Sequence, residues 1–132
     1  MATIEVVRSR ELHRGDSTEG IVRERAFEDD RAVVGRSRIS GGVVSAWHHH
    51  GTRHLYGFLV AGRIRFDFGP AGREFVELTI GDFFHIPPGL VHRDVNPDRR
   101  EEAVVVHVTV GQGPTVVNVA GPRPPGRDRE PR

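Results

Sequence analysis

The sequence predicts an all-β domain, built as a sandwich or small barrel. Short runs rich in Val, Ile and Phe alternate along the chain with Gly, Pro, Asp and Asn. The segment Arg63–Phe68, RIRFDF, alternates strictly and puts Ile64, Phe66 and Phe68 on one face, as a strand with one buried and one wet side requires. No stretch carries the spacing of an ordinary helix, and Ser9–Arg14 forms a turn at most.

The expected strands follow in order. Thr3–Val7, Ile21–Phe27 and Val33–Ile39 come first. Ser40-Gly41-Gly42 turns the chain into Val43–His48, and Leu55–Val60 follows. Ala61-Gly62 separates it from Arg63–Phe68, and Gly69-Pro70-Ala71-Gly72 leads to Glu74–Leu78. Gly81-Asp82 opens Asp82–Ile86, Pro87-Pro88-Gly89 leads to His92–Val95, and Asn96-Pro97-Asp98 precedes Ala103–Val110. Thr115–Val119 is last. Each turn supplies Gly for a positive φ or Pro for a fixed one. Ala103–Val110, AVVVHVTV, is nearly continuously apolar and is expected to be buried on both faces. Residues 1–120 make one domain. The Pro-, Gly- and Arg-rich tail 121–132 cannot build a core of its own.

Composition excludes several chemistries. The chain of 132 residues has room for one core. It contains no Cys, which removes disulfides, thiolate nucleophiles and sulfur-ligated metals. Every basic side chain apart from histidine is Arg, so no lysine Schiff base is available. The formal charge of +1 gives no reason to expect nucleic acid or an anionic membrane as partner. No apolar run approaches a signal-peptide core or a membrane span, and a cytoplasmic protein is expected.

Chemistry concentrates in Ala46–His54, AWHHHGTRH. Side chains two apart on a strand point the same way, roughly 7 Å apart. His48 and His50 therefore share a face, His49 points to the other, and two imidazoles so placed can converge on one metal ion. After Gly51-Thr52, His54 opens the next strand and can return to the same point. Continuing that phase, Tyr56, Phe58 and Val60 face inwards with Trp47 near the mouth, so Trp47, Tyr56 and Phe58 are expected to line a substrate cavity. His13, His85 and His107 read as hydrogen-bonded packing residues, His107 with the option of lining a cavity. Arg36, Arg38 and Arg65 receive no role.

Downstream, Gly81, Pro87, Gly89, His92 and Asn96 stand in the spacing G-x5-P-x-G-x2-H-x3-N, and Gly42, His48 and His50 stand in G-x5-H-x-H. In these two motifs the chain resembles the cupin superfamily over roughly residues 20–120. The resemblance implies a double-stranded β-helix, a small jelly-roll barrel, with a metal inside. It departs from the family at the first-motif glutamate. His54 follows His50 after three residues and Leu55 after four, while Gly62 follows His54 after seven rather than six. Leucine cannot bind a metal, so His54 is expected to inherit the position. The expected ligands are then His48, His50, His54 and His92.

Four neutral histidines leave a divalent ion one charge unit more positive than three with a carboxylate. That strengthens it as a Lewis acid and disfavours the trivalent state. Zinc is expected first, with Fe2+, Ni2+ and Mn2+ as alternatives. Within the superfamily the chain looks like the polyketide cyclases of actinobacterial aromatic antibiotic biosynthesis. That implies aldol-type ring closure of a poly-β-ketone supplied by a polyketide synthase, with metal-bound water or hydroxide as base. A cupin dioxygenase or isomerase, and a non-catalytic small-molecule-binding cupin, stay open. The family habit of pairing barrels through exposed edge strands implies a homodimer.

Overall fold

The computed structural model describes residues 2–122, so the tail expected at 121–132 lies outside the described residues beyond Pro122. The described residues form eleven strands: β1 His13–Arg14, β2 Val22–Glu28, β3 Ala32–Ile39, β4 His48–His49, β5 His54–Ala61, β6 Ile64–Phe68, β7 Glu74–Leu78, β8 Phe83–Ile86, β9 His92–Val95, β10 Ala103–Val110 and β11 Val117–Asn118. They make two antiparallel sheets, one in the order β1-β2-β3-β10-β5-β8 and one in the order β11-β4-β9-β6-β7. This is the expected double-stranded β-helix, and no α-helix occurs among the described residues. None of their helical turns is long and apolar enough to cross a membrane.

Strand parity positions everything else. In β5, Leu55, Gly57 and Leu59 are buried and the residues between them are not. In β6, Ile64, Phe66 and Phe68 face in as the alternation predicts. Ile39, Leu59, Ile64 and Ala103 are fully shielded from solvent and anchor the core between the sheets. Each large aliphatic side chain buried there contributes about 1.5–3 kcal/mol relative to exposure.

The motif residues that are not histidines hold turns. Asn96 is 1% exposed, and its amide donates to the carbonyls of Ile39 and Glu101 at 3.0 and 2.8 Å while its oxygen accepts from Asp98 N at 3.0 Å. One side chain thus ties the β9–β10 loop to the end of β3. Gly57 serves close packing: a Cβ there would stand 2.3 Å from the Phe84 ring, which lies across β5.

Four expectations differ from the structure. Thr3–Val7 forms no strand, and with Ile4 90% exposed and Val6 58% exposed its alternation finds no sheet to bury it. Ser9–Arg14 is a 3-10 turn over Ser9–Glu11 followed by the two-residue β1. Val43–His48 contributes only a bridge from Val44 to Val95 before β4 begins. There Ser45 N bonds Asp94 O at 2.8 Å and Ala46 N bonds Glu19 O at 2.9 Å, so this backbone serves two neighbours in succession rather than one ladder. Finally, β10 is buried on one face only. Val106 is 40% exposed on the outer face, which nothing among the described residues covers fully.

Candidate metal centre

His48 on β4 pairs directly with His92 on β9, and His50 follows β4 on the same face as His48. The three rings are buried, with centroids 4.3 Å apart for His48–His92, 5.1 Å for His50–His92 and 5.6 Å for His48–His50. Their candidate ligand atoms all lie within 4.8 Å of one another.

The hydrogen bonds decide which atoms those are. Nδ1 of His48 lies 2.9 Å from Ala46 O, Nδ1 of His92 2.9 Å from Leu90 O, and Nδ1 of His50 2.9 Å from Thr115 O. A carbonyl oxygen only accepts, so each Nδ1 carries the proton and donates it. Each Nε2 is left with a free lone pair. This is the outer support that metal-binding imidazoles ordinarily receive, fixing tautomer and ring orientation together.

Burial keeps the rings neutral. Desolvation pushes His92 down to about 3 against the partial opposition of Asp94, and the neighbouring His48 and His50 lower it further. Desolvation, followed by the nearby Arg23 charge, pushes His48 down to about 3. His50 is lowered mainly by desolvation too. Neutral imidazole is the ligating form.

Arg23 is 8% exposed on β2 and lines the same small lumen as His48 and His50, with Nη1 donating to Thr18 Oγ1 at 2.6 Å. His107 also faces this lumen. Its Nε2 is 2.8 Å from Ser37 Oγ, its Nδ1 is buried without a partner, and desolvation lowers it to about 3. Asp94 completes the lining; its Oδ1 is 3.5 Å from His48 Nε2 and 3.8 Å from His92 Nε2. With the rings neutral, these are not ion pairs.

His54 stands elsewhere. Leu55 takes the inward position, so His54 is on the outer face of β5, its Nδ1 2.9 Å from His85 Nε2 and its ring stacked on Tyr56 and His85. The phase carried from His50 does not survive the Gly51-Thr52 turn, where the chain changes sheets. Of the four expected ligands, the structure brings together His48, His50 and His92.

The same parity moves the expected cavity walls. Tyr56 is 49% exposed on the outer face, and Phe58 packs there against Phe83 at 4.6 Å. Trp47 stacks on Arg93, 4.7 Å from its guanidinium carbon, outside the second sheet. His49 points away from the site, as expected, accepting from Gly51 N at 3.0 Å. The apolar cleft that reaches the cluster, at His92, is instead lined by Phe66, Phe68, Val76, Phe84 and Leu90 among others, and has a volume of about 400 Å3. The signal for it was the RIRFDF alternation.

The sequence profile of the cupin domain matches residues 35–109. The chain belongs to the cupin family. Its structure is similar to a double-stranded β-helix protein from Klebsiella pneumoniae subsp. pneumoniae, at TM-score 0.71 and 20% identity, covering 90% of this chain and 100% of that one. It is also similar to the polyketide cyclase RemF from Streptomyces resistomycificus, at TM-score 0.72 and 17% identity over 98% of this chain and 95% of that one. KdgF from Halomonas sp. matches at TM-score 0.61 and 20% identity, over 80% of this cupin and 94% of that chain. At these identities the likeness is one of fold. Comparison with curated protein sequences finds no match.

The depressed histidines set an acid limit for this cupin. A ring near 3 when folded and near 6.5 when unfolded takes up protons preferentially in the unfolded chain below pH 6.5. Stability of the metal-free protein is therefore full above that value and falls progressively as pH drops from about 6.5 towards about 3. Urea denaturation at stepped pH should show this fall, and His49→Gln should leave it unchanged. A flat profile from pH 7 to pH 4 would contradict neutral, buried rings.

Proposed function

We propose that this cupin is a metal-dependent polyketide cyclase that closes a ring in a poly-β-ketone by an aldol-type, redox-neutral reaction. The observation that carries the reading is the set of three Nε2 lone pairs, each freed by a backbone-bonded Nδ1, beside an apolar cleft of about 400 Å3. His48, His50 and His92 fit a divalent ion, with zinc first and Fe2+, Ni2+ or Mn2+ suited to the same imidazole donors. An ion bound there would supply Lewis acidity towards a carbonyl oxygen.

The chain's own residues do the rest. Phe66, Phe68, Phe84 and Leu90 offer flat apolar walls that fold a hydrophobic chain and exclude water. Arg23 holds a fixed positive charge beside His48 and His50, where an enolate oxygen gathers negative charge. Fold similarity to RemF along nearly the whole of both chains supports the assignment. A second reading, oxygen-dependent chemistry, is favoured by one observation. The carboxylate of Asp94 lies at the cluster, and an anionic group there eases access to a trivalent metal.

The protein also works as a homodimer in this proposal, joined through the outer face of the six-stranded sheet rather than through edge strands. Phe83 is 80% exposed, Tyr56 49%, Val60 44% and Val106 40%, all on that face. A groove of about 290 Å3 runs between them. Glu24, Arg36, Arg38 and Glu102 border the face, paired with one another within the chain, so the rim around the apolar patch is polar and charge-balanced. Stable pairing requires about 1,200–2,000 Å2 of total burial, within reach of two sheet faces.

Incubated with a polyketide synthase that releases a reactive poly-β-ketone, the zinc-loaded protein should change the product's ring pattern without consuming oxygen. A chelator should abolish the effect and zinc restore it. Oxygen uptake coupled to turnover would replace the cyclase reading with the oxygenase one, and activity in the metal-free protein would remove the metal. In light scattering the parent should be dimeric at micromolar concentration, and Phe83→Arg with Val106→Glu should be a folded monomer. A monomeric parent would refute the pairing.

A further inference from the structure

Asp94 sits where a carboxylate is costly. It is 6% exposed, and its Oδ1 is buried with no hydrogen-bond partner. A buried carboxylate oxygen in that condition needs a cation or a donor. The nearest candidates are the ring nitrogens of His48 and His92, but neither can donate. Their Nδ1–H groups are committed to Ala46 O and Leu90 O, which leaves Nε2 as a lone pair in each neutral ring. Lone pairs from two imidazoles and a carboxylate therefore face one another with no hydrogen between them.

The distances to His48 and His92 point the same way, while His50 stands farther off, since Asp94 lies outside the set of ligand atoms that are all within 4.8 Å of one another. At 3.5 and 3.8 Å, Oδ1 is too far from the two Nε2 atoms for good hydrogen bonds, even to a protonated carboxyl. Two ligands each about 2.0–2.2 Å from one ion stand roughly 3–3.5 Å apart, and these contacts are close to that separation. Strand parity supplies the placement, because Asp94 lies two residues after His92 on β9 and shares its inward face. Charge supplies a reason. The buried Arg23 lies in the same lumen, and Asp94 is the foremost acidic group offsetting its burial. A divalent ion added there increases the need for an anion.

We propose that Asp94 is the fourth, anionic ligand of the metal centre, replacing from β9 the first-motif carboxylate whose place Leu55 occupies. The proposal rests on the reading of His48, His50 and His92 as a metal site. The centre is then a three-histidine, one-carboxylate sphere, one charge unit lower than the histidines alone give.

Metal-free full-length protein titrated with Co2+ against a competing chelator, with visible absorption recorded, tests it. Asp94→Asn should bind Co2+ at least about tenfold more weakly, the loss that even an outer partner of a ligand brings, and should shift the ligand-field bands. Asp94→Ala should regain the parental bands when formate is added. His54→Ala should match the parent in both readouts. Parental affinity and bands in Asp94→Asn, or no response of Asp94→Ala to formate, would overturn the ligand assignment while leaving the histidine site intact. A parent that binds Co2+ no better than His50→Ala would instead bring down the metal reading on which the proposal stands.

Discussion

Three imidazoles are held in one orientation by three backbone carbonyls, and the site depends on that constraint. His48 and His92 each bond the carbonyl two residues upstream, Ala46 and Leu90, so the local backbone that presents the ring also fixes its tautomer. His50 borrows Thr115 from the far end of the domain, which makes the site sensitive to how the last strands close over the barrel. Were any of these bonds lost, a ring could turn its protonated nitrogen into the lumen and remove a ligand. Burial reinforces the arrangement by keeping each ring uncharged at neutral pH.

The barrel contributes the second constraint, the division of each strand into two faces. One face of β5 carries Leu55, Gly57 and Leu59 into the core; the other carries His54, Tyr56 and Phe58 outward. Gly57 lets the Phe84 ring lie across β5, and Phe84 with Phe66, 4.8 Å between ring centroids, forms the apolar wall beside His92. The histidines and most of the wall, Phe66, Phe68 and Val76, thus belong to the five-stranded sheet, and Phe84 meets them from the six-stranded one.

Much of this was legible in the residues. Glycine and proline punctuation located the turns, the RIRFDF alternation gave the buried face of β6, and parity placed His48 with His50 and turned His49 away. The two motifs put His92 opposite His48, as their pairing on β4 and β9 confirms. What failed was phase carried across a turn. Parity holds within a strand, and Gly51-Thr52 resets it, so His54 and the aromatic residues after it fell on the wrong side. Spacing to Gly62 already marked Leu55 as the residue in register. Asp94 had a signal that went unused, since the rule that joins His48 to His50 also joins Asp94 to His92. Arg23 had none, because an arginine in an alternating strand ordinarily faces water.

The charge of the centre follows from these placements. A sphere of four neutral histidines would favour Lewis-acid chemistry strongly; with His54 outside, the balance rests on the three histidines, Arg23 and the nearby Asp94. In the proposed centre His48, His50 and His92 ligate one ion through Nε2. Anomalous diffraction from crystals grown with zinc tests it most directly. One strong peak about 2.0–2.2 Å from all three Nε2 atoms is expected. A peak bound through Nδ1, or one on the outer His54–His85 pair with the lumen histidines bare, would contradict it.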